Sequence, residues 1–174
     1  EATFAVMPWP EDGDENPWWR YMMGESGDQA MRITGRVPFG DRNENDPNPE
    51  FRGLIVARAR YETSGDDRSF LALQLPGGVS RAKLLDVCRG FDLEPRGVYS
   101  KSSPTEPESL HLVELDRFVA IGSDQIGKIM DKLEAADGIG TCLGGYPTPP
   151  VYNDSVGKNA LSMQANSDSK KKTA

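Results

Sequence analysis

Residues 64–85 read SGDDRSFLALQLPGGVSRAKLL. An acidic turn leads into an apolar strand, the strand ends in Pro-Gly-Gly, and Ser80 stands where a helix N-cap belongs. Gly77 and Gly78 admit two readings. One is a tight strand-to-helix connection. The other is a ligand site, because N–H groups at a helix N-terminus attract carboxylates and phosphates.

Working outward from Asp67, DRSFLALQL reads as a strand and RAKLLDVCRGF as a helix. Ala82, Leu85 and Cys88, with Leu84, Val87 and Phe91, give that helix a broad apolar stripe. LEPRGVYSKS is a polar strand, and SLHLVELDRFVAI, after the turn SPTEPE, a longer one. Ser123 caps the helix DQIGKIMDKLEAAD. There Ile126, Ile129, Met130 and Leu133 keep helical spacing, and Gly138 stands at the C′ position. IGTCLGGYP closes the series. The order βαββαβ predicts an α+β, ferredoxin-like domain: one antiparallel sheet with two helices on one face.

Upstream, residues 2–8 (ATFAVMP) read as a short buried strand. In residues 31–39 (MRITGRVPF), Met31, Ile33, Val37 and Phe39 alternate with Arg32, Thr34 and Arg36, the period of a half-buried strand. Residues 40–50 hold no apolar residue and read as a loop; FRGLIVARARY follows as a strand. These signals divide the chain into an extra β-rich segment (1–50), the ferredoxin-like domain (51–150) and a disordered tail (151–174). In that tail Lys170–Lys172 read as a solvated end.

The net charge of -7 argues against a general nucleic-acid binder. No stretch approaches the roughly 18 apolar residues of a membrane span. The start at Glu1 reads as a processed or excised piece. Cys88 and Cys142 read as buried free thiols of a reducing compartment, hence a cytoplasmic protein. One His and scattered acids give no metal-ligand spacing, so no metal or cofactor is expected. Asp12, Asp14 and Glu15 read as a solvated loop, His111 as a satisfied sheet-face residue, Arg81 as a solvated first-turn residue, and Trp18-Trp19 as a hydrophobic anchor.

In their joint order, FRGLIVARA, SGDDRSFLAL, GGVSRAKLL, VYSKS and LGGYP resemble the C-terminal ACT domain of prephenate dehydratases. The same domain ends the bifunctional chorismate mutase–prephenate dehydratases. The likeness covers about residues 51–149. ATFAVMPWPEDGDENPWW and MRITGRVPF more faintly resemble part of the dehydratase domain itself. The resemblance implies an aromatic amino acid, phenylalanine first, as effector of a homodimer. It places the ligand at Gly77, Gly78, Val79 and Ser80, with Ser100 and Lys101 where the family has Glu-Ser-Arg-Pro. The family's catalytic Thr-Arg-Phe is here Phe51-Arg52-Gly53, and one catalytic lobe is not represented. The expectation is therefore a regulatory module with no catalytic residue of its own. Two alternatives stay open: a shortened prephenate dehydratase or chorismate-processing enzyme, and a dimerisation module that binds no ligand.

Overall fold

The computed structural model describes residues 4–27, 29–42, 52–101 and 107–152. In chain order the elements are β1 (Phe4–Pro8), a 3-10 helix (Trp18–Met22), β2 (Arg32–Val37), β3 (Asp41–Arg42), β4 (Gly53–Ala57), β5 (Asp67–Pro76), α1 (Arg81–Gly90), β6 (Pro95–Lys101), β7 (Glu108–Leu115), α2 (Asp124–Lys132), β8 (Ile139–Pro147) and β9 (Val151–Tyr152). They fall into two compact units, Glu1–Val37 with Arg52–Thr148, and Pro38–Phe51 with Pro149–Ala174. In the second unit β3 and β9 pair in parallel.

In the first unit β8-β5-β7-β6 lie side by side, each neighbouring pair antiparallel. With α1 and α2 in the two crossovers, this is the ferredoxin-like α+β order that the sequence predicts. Three further strands extend the sheet beyond β8, giving β1-β4-β2-β8-β5-β7-β6.

β5 is a continuous apolar run because both of its faces are covered. Leu71, Leu73 and Leu75 meet Leu84, Cys88, Ile126, Ile129 and Met130 of the helices. Phe70 and Ala72 face the other way, into a second core with Ile33, Leu54, Val56, Leu112, Leu143, Tyr146 and Trp19. Ser80 caps α1 by accepting the Lys83 amide at 3.1 Å, and Ser123 caps α2 by accepting the Gln125 amide.

Several expectations are corrected. β1 is an edge strand and mostly exposed, not buried. In β2 a bulge between Ile33 and Gly35 breaks the alternation. Past the bulge Arg36 shares the face of Ile33 and is buried with it, Arg32 is buried on the opposite face, and Phe39, beyond the strand end, is exposed; Ile33 is buried as expected. β7 stops at Leu115, before Asp116. On α1 only Leu84 and Cys88 are fully buried, so the stripe is narrower than predicted. α2 ends at Lys132, and the left-handed residue behind it is Glu134, φ 58°, not Gly138. The Ala135 amide then donates back to the Met130 carbonyl at 3.0 Å, closing the helix end. Residues 43–50 and 153–174, on which part of the loop and tail readings falls, lie outside the described residues.

The sheet curls. Pro8 pairs with Gly53 on β4, yet the next residue, Trp9, donates its indole N–H to the Tyr99 hydroxyl on β6 at 2.7 Å. β4 and β6 are five strands apart in order, ~24 Å on a flat sheet. Only curvature around the second core brings them together. Trp9 sits edge-on to Phe70 and Tyr146 inside that curve.

Candidate functional site

The segment after Trp9 reaches the outer edge of β6. Gly13 N–H donates to the Ser100 carbonyl at 2.9 Å, and Ser100 N–H donates to Asp12 Oδ1 at 2.8 Å. These two bonds satisfy edge groups that a terminal strand would leave open. Asp12 Oδ2 takes an ion-pairing hydrogen bond from Arg81 Nη1 at 2.9 Å. Arg81 Nη2 donates to the Val98 carbonyl at 2.7 Å. A carboxylate is thus held between the first turn of α1 and the backbone of β6. The Ser100 amide, with Arg81 behind it, keeps Asp12 below its ordinary acidity value against the cost of desolvation.

Beneath this carboxylate lies a hydroxyl–imidazole chain. Ser100 pairs across the sheet with His111, and its Oγ is 2.9 Å from His111 Nδ1. His111 Nε2 is 2.8 Å from Ser109 Oγ, which lies 3.5 Å from the Leu75 carbonyl. His111 is buried with both nitrogens occupied, as the sequence reading expects. Burial, then the Arg81 charge, lowers its proton affinity, with Asp12 partly opposing.

This arrangement predicts a sign for the pH dependence. The folded state binds the His111 proton less readily than the unfolded chain does. Below the ordinary value of 6.5 the unfolded state takes up more protons, and stability falls. Urea titrations from about pH 7.5 down to about pH 5 should show the midpoint dropping, and His111→Gln should flatten the slope. A slope unchanged by His111→Gln would show that another group carries the transition. Asp12 and Asp67, both lowered, add their own loss only below about 3.8.

The residues singled out in sequence are distributed unequally. Gly77 donates its N–H to the Pro107 carbonyl at 2.9 Å. A Cβ on Gly78 would meet nothing within 4 Å. Val79 is partly buried against the helix-side core, and Ser80 is the cap. Ser100 and the first turn of α1 come together through Asp12 and Arg81. Lys101, one residue on, lines a cavity of about 490 Å3 with Arg20, Tyr21 and Leu110 on the other face. Arg52 is exposed, its guanidinium 6.0 Å from the Trp9 ring. Trp19 is an anchor, 1% exposed. Trp18 donates its indole N–H to the Pro8 carbonyl at 3.1 Å.

Asp12 is the residue that sequence reasoning missed. Its partners Arg81 and Ser100 are 69 and 88 positions away, so no local spacing announces it. Burial pushes both thiols, Cys88 and Cys142, up to about 11, which keeps them protonated. Among the described residues no cluster of His, Cys, Asp and Glu could hold a metal ion. No helix among them is long and apolar enough to cross a membrane.

No protein-family model and no curated protein matches the chain. Among solved structures it is similar to prephenate dehydratase from Streptococcus mutans, at 15% identity over 87% of this chain and 76% of that one, with a TM-score of 0.48. It is also similar to the prephenate dehydratase from Staphylococcus aureus subsp. aureus Mu50, at 17% identity over 55% of this chain and 36% of that one, TM-score 0.40.

Proposed function

We propose that the chain is an amino-acid-binding, ACT-like regulatory module of cytoplasmic aromatic amino-acid biosynthesis, related to the chorismate mutase and prephenate dehydratase proteins. Phenylalanine is its effector, the module works as a homodimer, and it carries no catalysis of its own. One observation supports this reading above the others. The Arg81 guanidinium and the Ser100 amide already grip a carboxylate, that of Asp12, beside the N-terminus of α1. A free amino acid offers the same group. At the entry to α1 added bulk on Gly78 would meet nothing within 4 Å, and the reading places the side chain of the amino acid there. The exposed edge of β1, with Phe4 59% and Val6 53% exposed, supports pairing with a second copy.

The test is a thermal shift with millimolar phenylalanine, tyrosine and tryptophan. At about 100 times its dissociation constant a ligand adds about 2.7 kcal/mol. Arg81→Gln should abolish the phenylalanine shift, whereas Asp12→Ala, by emptying the grip, should tighten binding. Gly78→Val is a sharper probe than its position in a turn suggests. Nothing in the folded protein crowds it, so it should cost no more than about 0.5 kcal/mol while blocking the ligand. If no aromatic amino acid moves the transition of the wild type or of Asp12→Ala, the sensing role fails. A dimer by light scattering would then leave the pairing role standing alone.

A further inference from the structure

Arg32 is 5% exposed, yet among the described residues no carboxylate pairs with it. Its guanidinium, with five N–H donors, makes one long bond, from Nη1 to the Met31 carbonyl at 3.4 Å. Buried charges are ordinarily paired, because removing them from water costs far more than one weak contact returns. Arg32 also lines a cavity of about 350 Å3, with Gly27, Ala59, Arg60, Tyr61, Glu62 and Ile121. That volume lies at the small end of the usual range for ligand sites.

The walls differ in character. Arg60 adds a second cation, and Glu62 stands among the exposed lining residues. Tyr61 is fixed, its hydroxyl 2.8 Å from Ser69 Oγ and its ring stacked 4.8 Å from that of Phe118. Its hydroxyl is therefore occupied, and its ring is left as a wall. Ile121, 39% exposed, supplies an aliphatic surface. The lining charge is net positive, with a desolvated guanidinium and an aromatic-aliphatic flank.

We propose that this cavity binds a small oxyanion, carboxylate or phosphate, that carries an apolar group. The oxyanion engages Arg32 and Arg60, and the apolar group lies on Tyr61 and Ile121. A guanidinium presents paired donors that match two oxygens of either anion. The site is separate from the Asp12–Arg81 grip and does not depend on the amino-acid reading.

The probes are sodium phosphate and phenyl phosphate, read by thermal unfolding against sodium chloride at matched ionic strength. Both should raise the melting temperature saturably, and phenyl phosphate should act at lower concentration. Arg32→Met should abolish the response while leaving the anion-free protein as stable as before or more so. Arg60→Gln, an exposed change, should weaken binding about tenfold and tests the site even if Arg32→Met does not fold. Arg81→Gln should leave the response intact. The proposal is overturned if phosphate does no more than chloride, if Arg60→Gln responds like wild type, or if Arg81→Gln removes the effect. Equal potency of the two probes would overturn the apolar half of the assignment.

Discussion

Trp19→Ala should cost about 3–5 kcal/mol of folding stability, a full large-aromatic truncation inside a closed core. Trp19 is 1% exposed and belongs to the second core, with Ile33, Leu54, Val56, Phe70, Leu143 and Tyr146. Those partners come from β2, β4, β5 and β8, so the indole lies where the added strands meet the ferredoxin-like sheet. Losing it opens a cavity that four strands would have to collapse into. Trp19→Phe should cost much less. It keeps an aromatic ring and removes the indole N–H, a fully buried donor with no partner among the described residues. Chemical denaturation of the two variants checks this. Equal losses would mean that a feature specific to the indole, not the volume it fills, sets the cost.

Gly144→Ala should be comparably damaging, at about 3 kcal/mol or more, through a different cause. β2 joins β8 in parallel at one register pair, Ile33 with Gly144. Gly144 holds φ 104°, a conformation that strongly favours glycine. A Cβ there would drive into the Ile33 carbonyl and stand 3.0 Å from the Ile33 nitrogen. Neither can give way, because both are backbone. The seam should therefore part before the rest of the sheet. Hydrogen exchange should show amides of β1, β2 and β4 losing protection first, with β5, β7 and β6 retaining it. Uniform loss across all seven strands would show instead that the sheet opens as one unit. Gly140→Ala tests steric crowding without the φ strain: its Cβ would press on the flexible Met130 side chain, at 2.9 Å from the sulfur. A smaller loss there would confirm that backbone geometry decides at Gly144.

The ferredoxin-like order was legible because its signals are short-range. A cap and its amide lie within a few residues, as Ser80 and Lys83 do. A helix stripe or a continuous apolar strand shows its burial within a single window. Ser80 carries such a local signal as a cap, whereas Ser100 was named only through the family resemblance. Lys101 was named beside them but faces another cavity, because neighbouring residues of a strand point to opposite faces.

The strand and helix order from Asp67 to Pro147, the caps, the buried thiols and the satisfied His111 can be read from the order of residues alone. The exposure of β1, the bulge that turns Arg36 inward, the burial of Arg32 and the meeting of Asp12 with Arg81 and Ser100 are legible only in the folded chain. The reason is physical. Periodicity and capping are written in bonds between near neighbours, whereas burial at an edge, a register shift or an ion pair depends on which distant strand or turn arrives alongside. That choice is made by the curl of the whole sheet around Trp9 and Trp19, where no local window of sequence can register it.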